Sequence, residues 1–183
     1  MTVDCPQGKI AIGNVRVSFQ RMALGEWNGP TLGLLSLNSV QEFRNSVPRG
    51  WERGSLFLPI PLGEALWLGF SESIPPAMRV QVGFGEVNAI NGEPWERAPD
   101  DASRNYFLCP GRLWLDGVYD SDGRPLRQFA LESQAYKPLH IDVHQIGRAT
   151  VYCISPNLFR SITGREPPPP PKAEDVYDGS LLP

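Results

Sequence analysis

The chain has 183 residues, 41% of them hydrophobic and 20% charged, which is enough for one domain with a substantial core and short for two. A formal net charge of -3 gives no general attraction to nucleic acid or to an anionic membrane, so neither is expected as a partner. Three cysteines, Cys5, Cys109 and Cys153, form no C-x-x-C pair; neither a disulfide framework nor a zinc site is expected.

In chain order, the first residues lack the basic start and apolar run of a secretory signal. Cytoplasmic thiols are therefore expected, with Cys109 and Cys153 buried. "KIAIGNVRVSF" reads as two short strands around Gly13-Asn14, or as one strand with a bulge there. "SVQE", Ser39 to Glu42, fits a capping box and predicts a short helix before Pro48. The most apolar stretch is "SLFLPIPLGEALWLGF", Ser55 to Phe70. It is shorter than the ~20 apolar residues of a membrane-spanning helix and is broken by Pro59, Pro61 and Gly63. Two buried strands are expected there, the second with Glu64, Leu66, Leu68 and Phe70 on one side and Ala65 and Trp67 on the other.

Met78, Val80, Val82 and Phe84 alternate with polar or small residues, and the apolar register then slips to Val87 and Ala89. A bulge near Gly85 accounts for the slip, and Asn91-Gly92 is a hairpin signal. "YFLCPGRLWLDG" gives two apolar runs around Pro110-Gly111, and "YDSDGRPLRQFAL" a polar turn before a strand at Leu126 to Leu131. "RATVYCIS", Arg148 to Ser155, is the last β-rich run. Ser155, Pro156 and Gly164 then mark the cap, first turn and stop of a short helix that packs Leu158, Phe159 and Ile162 on the sheets. Five consecutive prolines, Pro167 to Pro171, open an extended, flexible tail. The fold class expected is an antiparallel β-sandwich or flattened barrel with one or two short helices. Residues 1–164 form a single β-rich domain and 165–183 the tail.

Few motifs carry chemistry. His140, Asp142 and His144 alternate, so on a strand they share one face, with Ile141, Val143 and Ile146 as the core face. Two steps of ~6.6 Å place the two imidazoles too far apart for one ion held about 2 Å from each nitrogen. Ordinary strand patterning is the better reading, and no metal and no cofactor is expected. In "DSDG", Asp120 to Gly123, the first and twelfth calcium-loop positions fall on Val118 and Phe129, so this is a turn and not an EF-hand. "GFGEVN" lacks the third glycine of a dinucleotide fingerprint. The arginines are spread along the chain, which speaks against an anion-binding cluster and for structural pairing with carboxylates.

The tryptophans are Trp27, Trp51, Trp67, Trp95 and Trp114. Buried tryptophan normally anchors a core, but aromatic residues also line ligand clefts. Glu64, Asp116 and Arg127 each lie beside apolar strand residues. With Trp67 and Trp114 they are the candidate ligand-binding set, placed in a cleft between the sheets.

"PLGEALWLGF", "VQVGFGEVNAINGEPW", "CPGRLWLDG", "RQFAL" and "LFRSITGREPP" occur together in an order that resembles a group of uncharacterised bacterial β-rich proteins. The resemblance covers roughly Leu56 to Leu131 and the ending, and implies no activity. The histidine-bearing stretch departs from the group's pattern, a further argument against a metal site. Two functions are expected from these observations. One is a non-catalytic binding or assembly module that pairs with a second copy through strand edges and the tail. The other is a small-molecule enzyme or ligand-binding protein using the tryptophan-lined cleft.

Overall fold

The computed structural model describes residues 2–4, 8–29, 31–72, 76–95 and 98–169. Cys5 and most of the proline-rich tail lie outside the described residues. The strands in chain order are β1 (Thr2–Asp4), β2 (Lys9–Ile12), β3 (Val15–Ala23), β4 (Asn38–Ser39), β5 (Leu56–Pro59), β6 (Glu64–Glu72) and β7 (Met78–Phe84). Then come β8 (Val87–Asn88), β9 (Phe107–Cys109), β10 (Trp114–Leu115), β11 (Gly117–Tyr119), β12 (Pro125–Gln128), β13 (Tyr136–Val143) and β14 (Gly147–Ile154). A helix, α1 (Pro156–Thr163), follows.

The molecule is a mostly antiparallel β-sandwich. One sheet runs β1-β2-β3-β6-β10. The other runs β4-β5-β14-β13-β7-β8, with β9 also on β7, and β11 and β12 form a separate ribbon. The pair β5–β14 is parallel. The inner faces bury Val15, Val17, Phe19, Leu66, Leu68 and Phe70 from the first sheet against Val80, Val82, Leu139, Ile141, Val143 and Val151 from the second. Phe70 meets Phe107 edge-on at 4.9 Å between ring centroids, which joins the sheets near their β9 side.

Alternation sets these faces. In β6 the residues Leu66, Leu68 and Phe70 are buried at 2% exposure or less. The hairpin reading of Gly13-Asn14 holds, with Ile12 paired to Val15. Near Gly85 the structure differs from the expected bulge. Gly83 pairs with Asn88 and Phe84 with Val87, so Gly85 and Glu86 are the two-residue turn of a hairpin. Gly85 has φ +66°, a conformation that the first central position of such a turn requires and that glycine adopts without strain. No helix follows "SVQE". Ser39 is committed to β4, paired with Leu56, and residues 40–46 form successive turns closed by the Val47 N–H on the Phe43 carbonyl.

Helix α1 forms as its signals require. The Ser155 hydroxyl accepts the Leu158 N–H at 3.3 Å, and Gly164 closes the helix at φ +68°. Phe159 and Ile162 are buried and join Val40, Trp51, Phe57, Tyr152 and Ile154 in a second, smaller core. Among the described residues no helix is long and apolar enough to cross a membrane.

Candidate functional site

The five candidate residues are spread over three places. Glu64 opens β6 opposite Ala23, and its carboxylate takes both arms of the Arg21 guanidinium, Nε to Oε2 and Nη2 to Oε1, each at 2.6 Å. The Arg21 side chain is 4% exposed and that of Glu64 11%. The remaining Arg21 arm, Nη1, donates to the Pro169 carbonyl at 2.6 Å. This pairing satisfies a buried cation and ties the first part of the tail to the sheet.

Trp67 and Trp114 stand on the outer face of the first sheet, on the side away from the second. Trp114 pairs with Gly69 across β10–β6 and is 42% exposed, while its neighbour Leu115 is buried. The ring of Trp67 lies over Gly69. A Cβ at that position would sit 2.8 Å from the ring and 2.5 Å from Ser18 Oγ, so only glycine lets the indole lie flat there. The aromatic pair expected between the sheets therefore faces outward. The space between the sheets is filled by the aliphatic and phenylalanine side chains of the main core.

Asp116 is fully buried between β10 and β11. Its Oδ2 accepts the Asn28 N–H at 3.1 Å, and its Oδ1 accepts the Tyr119 hydroxyl. Asn28 in turn accepts the Trp114 indole N–H at 3.4 Å. Burial first, and then the bond to Asp116, push the Tyr119 phenol well above its ordinary range. Gln128 works beside it, accepting the Gly25 N–H at 2.6 Å and donating to the Glu26 carbonyl at 3.1 Å. Asp116 and Gln128 thus pin the loop 24–29 to the β11–β12 ribbon. Trp114 and Asp116 are brought together through Asn28. Glu64 is engaged elsewhere, and Arg127 is exposed on β12 opposite Val118.

The histidines separate. His140 lies in β13 between Gly83 and Thr150, its Nδ1 3.3 Å from the Thr150 hydroxyl and its ring stacked on Trp95 at 5.7 Å. His144 lies past the strand end in the turn to β14, where its N–H donates to the Arg79 carbonyl. Ile146 is in the same turn and is 52% exposed, not part of the core face; it covers Gly13 instead. Among the described residues no three His, Cys, Asp or Glu side chains gather to hold a metal. The Asp120 side chain accepts the N–H groups of Asp122 and Arg124, a turn stabilised by its own aspartate. Cys109 and Cys153 are both buried, and burial alone raises the Cys153 thiol far above its usual range.

Three arginines that look scattered in the sequence do come together. Arg44, Arg49 and Arg53 line one cavity with Trp51, on the turns between β4 and β5. The segment "RNSVPRGWER" carries the signal, with three cations in ten residues around a Pro-Arg-Gly turn. Sequence spacing alone does not tell a gathered cluster from a solvated one. No protein-family model matches the chain, and no curated protein or solved structure matches it.

Proposed function

We propose that the protein is a non-catalytic binding or assembly module that docks a second copy of itself through the corner at residues 108–114. The observation that supports this reading is the density of exposed apolar side chains there. Leu108 and Leu113 are each 49% exposed and Trp114 is 42% exposed, and Pro110 between them is also exposed. The corner crosses from β9 on the second sheet to β10 at the end of the first, so it sits where both sheets present an edge. Its one charge, Arg112, lies over the Tyr119 ring at 5.2 Å, so the cation is engaged within the chain. Trp67 extends this surface along the outer face of the first sheet.

An apolar patch is self-complementary, as an isologous contact about a two-fold axis requires, and contiguous patches of this kind mark interaction sites. The partly buried Glu64 and the fully buried Asp116 serve this module as structural pins, holding β6 and the 24–29 loop in place behind the docking surface.

Sedimentation velocity over a wide concentration range tests the proposal. The native chain is expected to self-associate reversibly. Leu113→Ser combined with Trp114→Ser should weaken association at least about tenfold, or 1.4 kcal/mol, with the thermal midpoint little changed. A native chain that stays monomeric at every concentration defeats the reading.

A further inference from the structure

We infer that the turns between β4 and β5 form a binding site for a small phosphate-bearing molecule, with Arg44, Arg49 and Arg53 as the anion-contacting residues. The cavity measures about 350 Å³, the size of a small metabolite site. None of the three arginines makes an ion pair with a carboxylate among the described residues. Neither Glu42 nor Glu52 belongs to the cavity wall, and Glu52 turns to a separate small cleft beside Trp95 and His140. In a protein of net charge -3, three arginines lining one cavity are a local excess of positive charge. Each offers a planar fork of donors that matches the oxygens of a phosphate.

A second observation points the same way. Trp51, another wall residue, is 8% exposed, and its indole N–H has no hydrogen-bond acceptor. Buried polar groups are nearly always paired. The indole is not free to turn elsewhere. It is stacked on Tyr152 at 4.0 Å with 5° between the planes and packed against Phe57 and Tyr136. The wall of the cavity is therefore rigid, anchored in the smaller core, while the arginines are exposed at its mouth. That combination, a rigid tryptophan wall with a cationic rim, suits a compact ligand with one phosphate group and a small organic body.

The test follows the Trp51 indole N–H in two-dimensional NMR of the full chain, identified by its loss in Trp51→Phe. Inorganic phosphate is titrated against chloride at matched ionic strength, and glycerol phosphate is used as the organic probe. The expected result is a saturable shift of that resonance with both phosphates and none with chloride, and tighter binding of glycerol phosphate. Arg49→Gln with Arg53→Gln should weaken binding at least tenfold while the rest of the spectrum shows the native fold. Arg44→Gln alone gives the same readout if the double variant does not fold, and Arg124→Gln, remote and paired with Asp122, should bind as the native chain does. The inference is overturned if chloride and phosphate act alike, or if the double variant binds undiminished. It is also overturned if a single-stranded oligonucleotide binds while phosphate leaves Trp51 unmoved, since the cations would then serve an extended surface.

Discussion

The region around Asp116 and Arg21 and the turns around Trp51 both bury polar atoms, and they treat them in opposite ways. In the first, each buried charge has its partners: Arg21 has Glu64 and the Pro169 carbonyl, and Asp116 has Asn28 and Tyr119. In the second, the Trp51 indole N–H and the Ser55 hydroxyl are buried without a partner, and three arginines make no ion pair among the described residues. A buried group with all its bonds made is a structural fixture, because every bond it can form is already spent within the chain. A buried group left without a partner costs stability until a water or another molecule completes its bonding. The residues that look most chemical in the sequence, Glu64 and Asp116, belong to the first kind.

Substitutions break or sharpen this contrast. The largest effect is expected from Glu64→Gln, which leaves Arg21 buried without its counter-charge. Urea denaturation should show a loss of about 3 kcal/mol, and a loss within experimental error would mean the pair is not the fixture described. A smaller effect appears at alkaline pH. The Tyr119 phenol is held above its ordinary value of 10.0, so the neutral form is favoured in the folded state. The stability this contributes is fully present below about pH 10 and is lost as pH rises through the raised folded value. Tyr119→Phe should flatten that alkaline decline in the urea midpoint. An unchanged slope would show that Tyr119 does not carry it. The smallest effect has the opposite sign. Ser55→Ala removes a buried hydroxyl that has no partner, so stability should stay level or rise by up to about 1 kcal/mol. A loss of that size would show that the hydroxyl is bonded after all.

Much of the fold is legible because burial imposes a period. The alternation in "EALWLGF" gave the inner and outer faces of β6 residue by residue, and the Ser155, Pro156 and Gly164 signals gave α1. Four features are harder to read, each for a physical reason. The apolar runs around Pro110-Gly111 read as neighbours, yet β9 and β10 join different sheets, a tertiary choice that local pattern does not encode. Ile146 reads as core by its position after Ile141 and Val143, but the chain turns at His144 and the period ends there. Trp67 and Trp114 read as cleft residues because large aromatics are usually inside. Their parity places them opposite the buried Leu66, Leu68 and Leu115, and that parity was present in the sequence. The arginine cavity is the hardest case, since turns gather side chains with no fixed period.

The parallel partnership of β5 and β14 bears on how the chain is made. Leu56, Phe57 and Leu58 are fully or almost fully buried, and their β14 neighbours, Val151 to Cys153, come near the end of the described chain. Until synthesis reaches that point, a greasy ribbon early in the polypeptide lacks the strand that flanks it. Such late, long-range closure slows folding and exposes the nascent chain to aggregation. Cutting the gene before Val151 should therefore yield inclusion bodies and not a smaller working protein.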